Sequence, residues 1–191
     1  CCSQSFTNDA TILFPTGSLG NRYRAVSLPS FNTIAGFISI VAGDQPTNVA
    51  VHMGSHYLQP STDITSYYGN VATAQLEPYD VMTIFGRGFG ALSTDLTGVE
   101  IVASEDVSVF GGHTCSNVPH AFAACDHLET SLMPVDSWQN EFVVAHTYFR
   151  SELPTEVNYY RIVADVDGTI VQTEPRFSDL DPLGAVVAPL P

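Results

Sequence analysis

The sequence predicts an all-β protein: an antiparallel β-sandwich-like domain with one short helix near 123–133 and extended terminal arms. Three observations carry this. Short runs rich in Val, Ile, Thr, Tyr and Phe recur along the chain, as half-buried strands require. Gly, Pro, Asn, Asp and Ser clusters punctuate them at close spacing. No helical pattern long enough to cross between parallel strands lies between them.

The expected strands are 25–28, 37–41, 48–53, 71–76, 80–85, 99–104, 107–110, 141–145, 159–164 and 169–172. Turns fall at Pro29-Ser30, Ala42-Gly43-Asp44, Pro78, Gly86 to Gly90, Gly111-Gly112 and Asp167-Gly168. The runs 162–164 and 169–171 read as one hairpin, because Asp167-Gly168 tolerates the positive φ of a tight turn. The stretch 123–133 holds no Gly or Pro, Pro134 would stop a helix there, and Asp126 suits a helix start. Three segments follow: an N-terminal arm over 1–16, a β domain over 17–174 and a Pro-rich C-terminal arm over 175–191.

Composition excludes several functions. Twenty acids face six bases, all arginine, for a formal charge of −14 in 191 residues. A nucleic-acid binder needs a basic stripe, and none exists. Anionic membrane surfaces would repel the chain. Without lysine there is no Schiff-base chemistry and no P-loop. No stretch reaches the eighteen or so apolar residues of a spanning helix. Acidity, absent lysine and Ser/Thr richness suit an extracellular or cell-surface setting.

The densest chemical cluster is His113-Thr-Cys115 and Cys125-Asp-His127. Two thiolates and two imidazoles could close a zinc site through His113 and His127, but the spacing fits no common finger. A Cys115–Cys125 disulfide across a short loop is the simpler reading in an oxidising compartment. A Cys–His nucleophile would need a third orienting group, and no Gly-x-Ser-x-Gly elbow supports a serine triad. Cys1 and Cys2 could join further pairs, within the chain or between subunits. Asp165 and Asp167 begin like a calcium loop, yet the later ligand positions are missing and a hairpin turn explains both. Gly86-Arg87-Gly-Phe89-Gly90 lacks the ending of a phosphate loop. Tyr67, Tyr68 and Phe89 could form an exposed aromatic patch, and Tyr159 and Tyr160 a sugar-stacking pair.

The run from Asp95 to Pro119, containing Val-Phe-Gly-Gly-His113-Thr-Cys115-Ser-Asn-Val-Pro, resembles the N-terminal domain family of IgGFc-binding proteins. The resemblance continues through Ala124-Cys-Asp-His-Leu-Glu129, Met133-Pro-Val-Asp-Ser-Trp138 and Tyr160-Arg-Ile-Val-Ala-Asp-Val-Asp-Gly-Thr169. It implies a non-enzymatic extracellular module without cofactor, of a kind found also in bacterial surface and secreted proteins.

The expected function is a structural or adhesive protein that self-associates, with Thr11, Ile12, Leu13 and Phe14 as a strand donated to a neighbouring copy. Head-to-tail exchange of this kind propagates into a filament. The alternative is a monomeric surface module that binds a glycan or a host protein.

Overall fold

The structure, a computed structural model, describes residues 9–30, 34–54, 66–68, 70–86, 94–118, 125–145 and 158–174, with the backbone alone at 66–68. Eight strands form one antiparallel sheet: β1 (Gly20–Arg24), β2 (Gly36–Ala42), β3 (Thr47–His52), β4 (Ser66–Tyr68), β5 (Val71–Leu76), β6 (Val81–Phe85), β7 (Glu100–Asn117) and β8 (Cys125–Ser131). The all-β expectation therefore holds.

β7 organises the sheet. β2 runs antiparallel to it from Gly36 opposite His113 to Ala42 opposite Val107, and β3 continues along the same strand from Val49 opposite Ala103 to His52 opposite Glu100. β5 and β6 repeat this arrangement one strand further out, on β3 and β2 respectively. On the other edge of β7 lie β1 and β8. The β2–β3 and β5–β6 paths break at 43–46 and 77–80, level with the exposed residues 104–106 of the continuous strand β7. Backbone bonds from Tyr79 to the Gly43 carbonyl (3.0 Å) and from Ala42 to the Asp80 carbonyl (3.0 Å) tie this corner.

Alternation then places one phase of each strand in a shared core. Ile38, Ile40, Met82, Ile84, Val107 and Val109 come from one half of the sheet; Val49, Val51, Ala72, Ala74, Ile101 and Ala103 come from the other. A sheet bent at its middle and packed on itself buries both halves at once. Tyr23 is fully buried, and its hydroxyl donates to the Val107 carbonyl at 2.6 Å, which meets the polar demand that burial creates.

Three expectations are corrected. The helix near 123–133 is not formed: Cys125–Ser131 is strand β8, with Phe110 opposite Ser131 and Asn117 opposite Cys125. Absence of Gly and Pro permits a helix, but an open edge of β7 and a covalent tie to it favour a strand. The first long strand is Gly20–Arg24, while 25–30 runs beside 94–99 through isolated bonds such as Ala25 to the Val99 carbonyl (2.8 Å). Residues 141–145 and 158–174 join no ladder among the described residues, so the hairpin at 162–171 does not pair. Only its turn is present, with Gly168 at φ 78° and Thr169 bonded to the Val166 carbonyl. Thr11, Ile12, Leu13 and Phe14, expected as a strand for a neighbouring copy, join no ladder among the described residues of this chain.

Candidate functional site

The outer face of the β6–β2–β7–β8 half carries an aromatic row. Phe37, Ser39 and Val41 alternate with core residues of β2, and Val81, Thr83 and Phe85 do so on β6. Register sets Phe37 between Phe85 and Gly112, and Gly112 opposite Glu129. The Phe37 and Phe85 rings lie 6.4 Å apart at 55°, and Phe37 stacks on His127 at 5.8 Å and 15°. Gly112 makes this possible: a Cβ there would sit 2.1 Å from the Leu128 carbonyl oxygen and 2.8 Å from Phe37 Cζ. The ring fills the space that any side chain would take.

Around the row, the Ser39 and Thr83 hydroxyls meet at 3.0 Å, and His127 Nε2 lies 3.5 Å from Glu129. Val81 and Phe85 are exposed. Exposed Val81 and Phe85 beside a hydroxyl pair offer apolar contact for a partner and polar groups to orient it. The outer face of the other half, by contrast, is a shallow groove floored by small side chains such as Ala50, Thr73 and Val102.

Beneath the row, His113 is fully buried, and the Cys115 N–H donates to its Nδ1 at 3.1 Å. That bond leaves the proton of the neutral ring on Nε2. Burial pushes the imidazole below its usual range, against the opposing pull of its backbone contacts with Pro29 and Cys115. Cys115 and Cys125 form a disulfide between β7 and β8, with Cα atoms 5.1 Å apart. The two sulfurs are thus joined to each other. His113 points into the core, while His127 stacks on the outer face, so the four residues weighed for zinc do not converge.

Asp165 sits among cations. Arg24 Nε lies 2.9 Å and an Arg22 terminal nitrogen 2.7 Å from its Oδ1, and Arg22 Nε meets Glu100 at 3.0 Å. Arg24 first and Arg22 second hold the Asp165 carboxyl below the usual carboxylate range, and Asp165 above all raises Arg22. The charge that Asp165 faces is therefore arginine, and Asp167 stands exposed in the turn beyond it. Among the described residues no group of three or more His, Cys, Asp or Glu is arranged to hold a metal ion. Nor is any helix there long and apolar enough to cross a membrane.

The described part of the N-terminal arm, from Asp9 on, contacts the edge of β8 that faces away from β7. The Ser131 N–H donates to Thr11 Oγ1 at 2.7 Å, the Glu129 N–H to Asp9 Oδ2, and the Ser131 hydroxyl to the Ile12 carbonyl. Leu13 is exposed and Phe14 half-buried. Tyr159 and Tyr160 are exposed, and the Tyr160 hydroxyl donates to the Ala145 carbonyl at 2.8 Å. Cys1, Cys2, Arg87, Phe89 and the side chains of Tyr67 and Tyr68 fall outside the described residues. Sequence reasoning missed Phe37 and Phe85 as a face. Their trace was apolar residues on both phases of 37–41 and 81–85, which a strand buried on only one side does not need.

Comparison with known proteins agrees with the resemblance. The chain is 29% identical to the human IgGFc-binding protein over 142 residues, which is 72% of this chain and 2% of that protein. The chain thus spans a small fraction of the relative it matches. No solved structure matches. The family described as IgGFc binding protein matches residues 9–187, nearly the whole sequence, and the chain belongs to that family.

Proposed function

We propose that this chain is a non-catalytic extracellular module that binds a protein partner on the outer face of β6–β2–β7–β8. The observation that carries the reading is the Phe85–Phe37–His127 row on the outer sheet face, where Val81 and Phe85 are exposed and the Phe37 ring is buried between its neighbours. Exposed apolar area of this kind marks contact sites more often than it serves the fold. The Cys115–Cys125 disulfide fits an oxidising compartment. The family is named for binding, not for a reaction.

The human relative's name supplies the first partner to try, the Fc portion of immunoglobulin G. The test is surface plasmon resonance of the folded chain against Fc, beside a glycan array. Binding that Phe85→Ser weakens at least tenfold, with an unchanged near-UV spectrum, supports the reading. Binding indifferent to Phe85→Ser and Val81→Ser would move the site elsewhere. Binding to glycans alone would favour a carbohydrate module.

A second reading is self-association at the cell surface through Thr11, Ile12, Leu13 and Phe14, extending to a filament. It is favoured by Ile12 and Leu13, which stand 69% and 73% exposed although the arm touches β8. Pairing of Cys1 or Cys2 between subunits would add a covalent link. Sedimentation at rising concentration, with and without reductant, tests it.

A further inference from the structure

We propose that the outer edge of β6 captures an extended segment of the protein partner as an added strand, a mode of docking that rests on the outer face being a binding surface.

Two backbone bonds fix which groups of β6 face outward. The Ala42 N–H donates to the Asp80 carbonyl at 3.0 Å, and the Gly86 N–H to the Gly36 carbonyl at 2.9 Å. Between them β2 and β6 run in unbroken register, with Ile38 opposite Ile84 and Ile40 opposite Met82. Antiparallel pairs alternate between bonded and non-bonded, so these two pairs share the bonded phase of the flanking bonds. Phe37 with Phe85, Ser39 with Thr83 and Val41 with Val81 are then the non-bonded pairs. Side chains sit closer in such pairs, which suits the 3.0 Å contact of the Ser39 and Thr83 hydroxyls. The backbone N–H and C=O groups of Val81, Thr83 and Phe85 therefore point away from β2. Among the described residues no strand pairs with them there.

Proteins usually blunt such an edge with charge, proline, a bulge or shortness. β6 reads Val-Met-Thr-Ile-Phe and pairs with β2 without a bulge, so it carries none of these over its length. β4, at the other end of the strand path, is only three residues long. The residues with outward backbone groups are also those with exposed side chains, Val81, Thr83 and Phe85. An added strand is thus offered main-chain bonds and, beside them, apolar contacts that continue the Phe85–Phe37 row.

Charge selects the occupant. Exposed Glu77 and Asp80 lie at the start of β6, and exposed Asp44 follows Gly43, whose carbonyl takes the Tyr79 N–H. A second copy would bring another −14. The fitting segment comes from a different protein, alternates apolar side chains, and carries a Lys or Arg at the end that meets Asp80.

The test is amide exchange of the full chain, alone, with Fc, and with the end-blocked synthetic peptide Val-Thr-Val-Thr-Val-Lys. In the free chain Val81, Thr83 and Phe85 should exchange about tenfold faster than Met82 and Ile84. With a probe bound, those three should slow by about tenfold. The same peptide N-methylated on its valines should not slow them. Thr83→Pro, which removes an outward N–H alone, should weaken binding about tenfold; the methylated peptide makes the same challenge without altering the protein. Fc binding that Phe85→Ser weakens while the three amides stay fast overturns the added strand and leaves the face standing. Slowed amides with binding indifferent to Phe85→Ser support the added strand and overturn the face. Slowing that grows with chain concentration alone would assign the edge to a second copy and overturn the proposal, as would fast amides with both probes.

Discussion

β7 and the segment 141–174 are built from similar residues and end differently. β7 alternates Ile101, Ala103, Val107 and Val109 into the core and is paired by β1, β2, β3 and β8. In its described parts, 141–145 and 158–174, Val143 is 96% and Ile170 83% exposed, and no ladder forms. The lesson is that β-branched residues make a strand only where an unpaired edge and a core face await them. β7 has both on each side. The later segment is held instead by ion pairs: Arg161 to Asp95 at 2.7 Å, and Asp165 to Arg22 and Arg24.

The sharpest way to break this contrast is one isoleucine in each region. Ile101→Ala should cost about 3–4 kcal/mol, since it empties a fully buried site that the bent sheet cannot collapse around. Ile170→Ala should cost less than about 0.5 kcal/mol. Urea unfolding of both variants checks this; equal costs would mean that the later segment shares the core.

Next in size is the covalent tie. Cys115→Ser with Cys125→Ser opens a loop of sequence separation 10 and should lower stability by roughly 3 kcal/mol in the chain-entropy account. The same denaturant curves report it. If β8 owed its strand form only to the bridge, the variant would also lose the ladder, visible as fast amide exchange over 126–131.

Much of the sheet was legible, and the failures share a cause. β2, β3, β5 and β6 stand within a residue or two of the apolar runs at 37–41, 48–53, 71–76 and 80–85. The runs 99–104 and 107–110 are one strand, because residues 104–106 bend without breaking the chain's path. Cys125–Ser131 was illegible: Cys-Asp-His-Leu-Glu-Thr-Ser lacks a strand's periodicity, and its form is imposed by β7 and the disulfide. β1 was hidden because Asn21, Arg22 and Arg24 read as polar, the two arginines being there to meet Glu100 and Asp165. The Phe37–His127 stack joins positions ninety apart through a glycine, a relation that no local pattern encodes.

His113 gives a prediction of direction. Its folded value is lowered, so the unfolded chain binds the proton first. Stability is then full above the unfolded value near 6.5 and falls as pH drops below it toward the folded value. Comparing unfolding at pH 7 and pH 5 for the protein and for His113→Gln checks the sign: the acid loss should shrink in the variant. An unchanged loss would assign it to other groups.

The smallest effect on stability tests the ion-pair hold itself. Arg161 NH1 reaches the Ser27 carbonyl (2.8 Å), Asp95 Oδ2 (2.7 Å) and Thr97 Oγ1 (2.7 Å), so one nitrogen binds the later segment to both 25–30 and 94–99. These groups are partly exposed, where such pairs contribute about 1 kcal/mol or less and weaken with salt. Arg161→Ala and Asp165→Asn should therefore leave global unfolding nearly unchanged. Amide exchange over 158–174 should rise several-fold, and 0.5 M salt should produce part of that rise in the unaltered chain. A sheet that loosens together with the segment would show that the two regions fold as one unit, and the contrast drawn from β7 would fail.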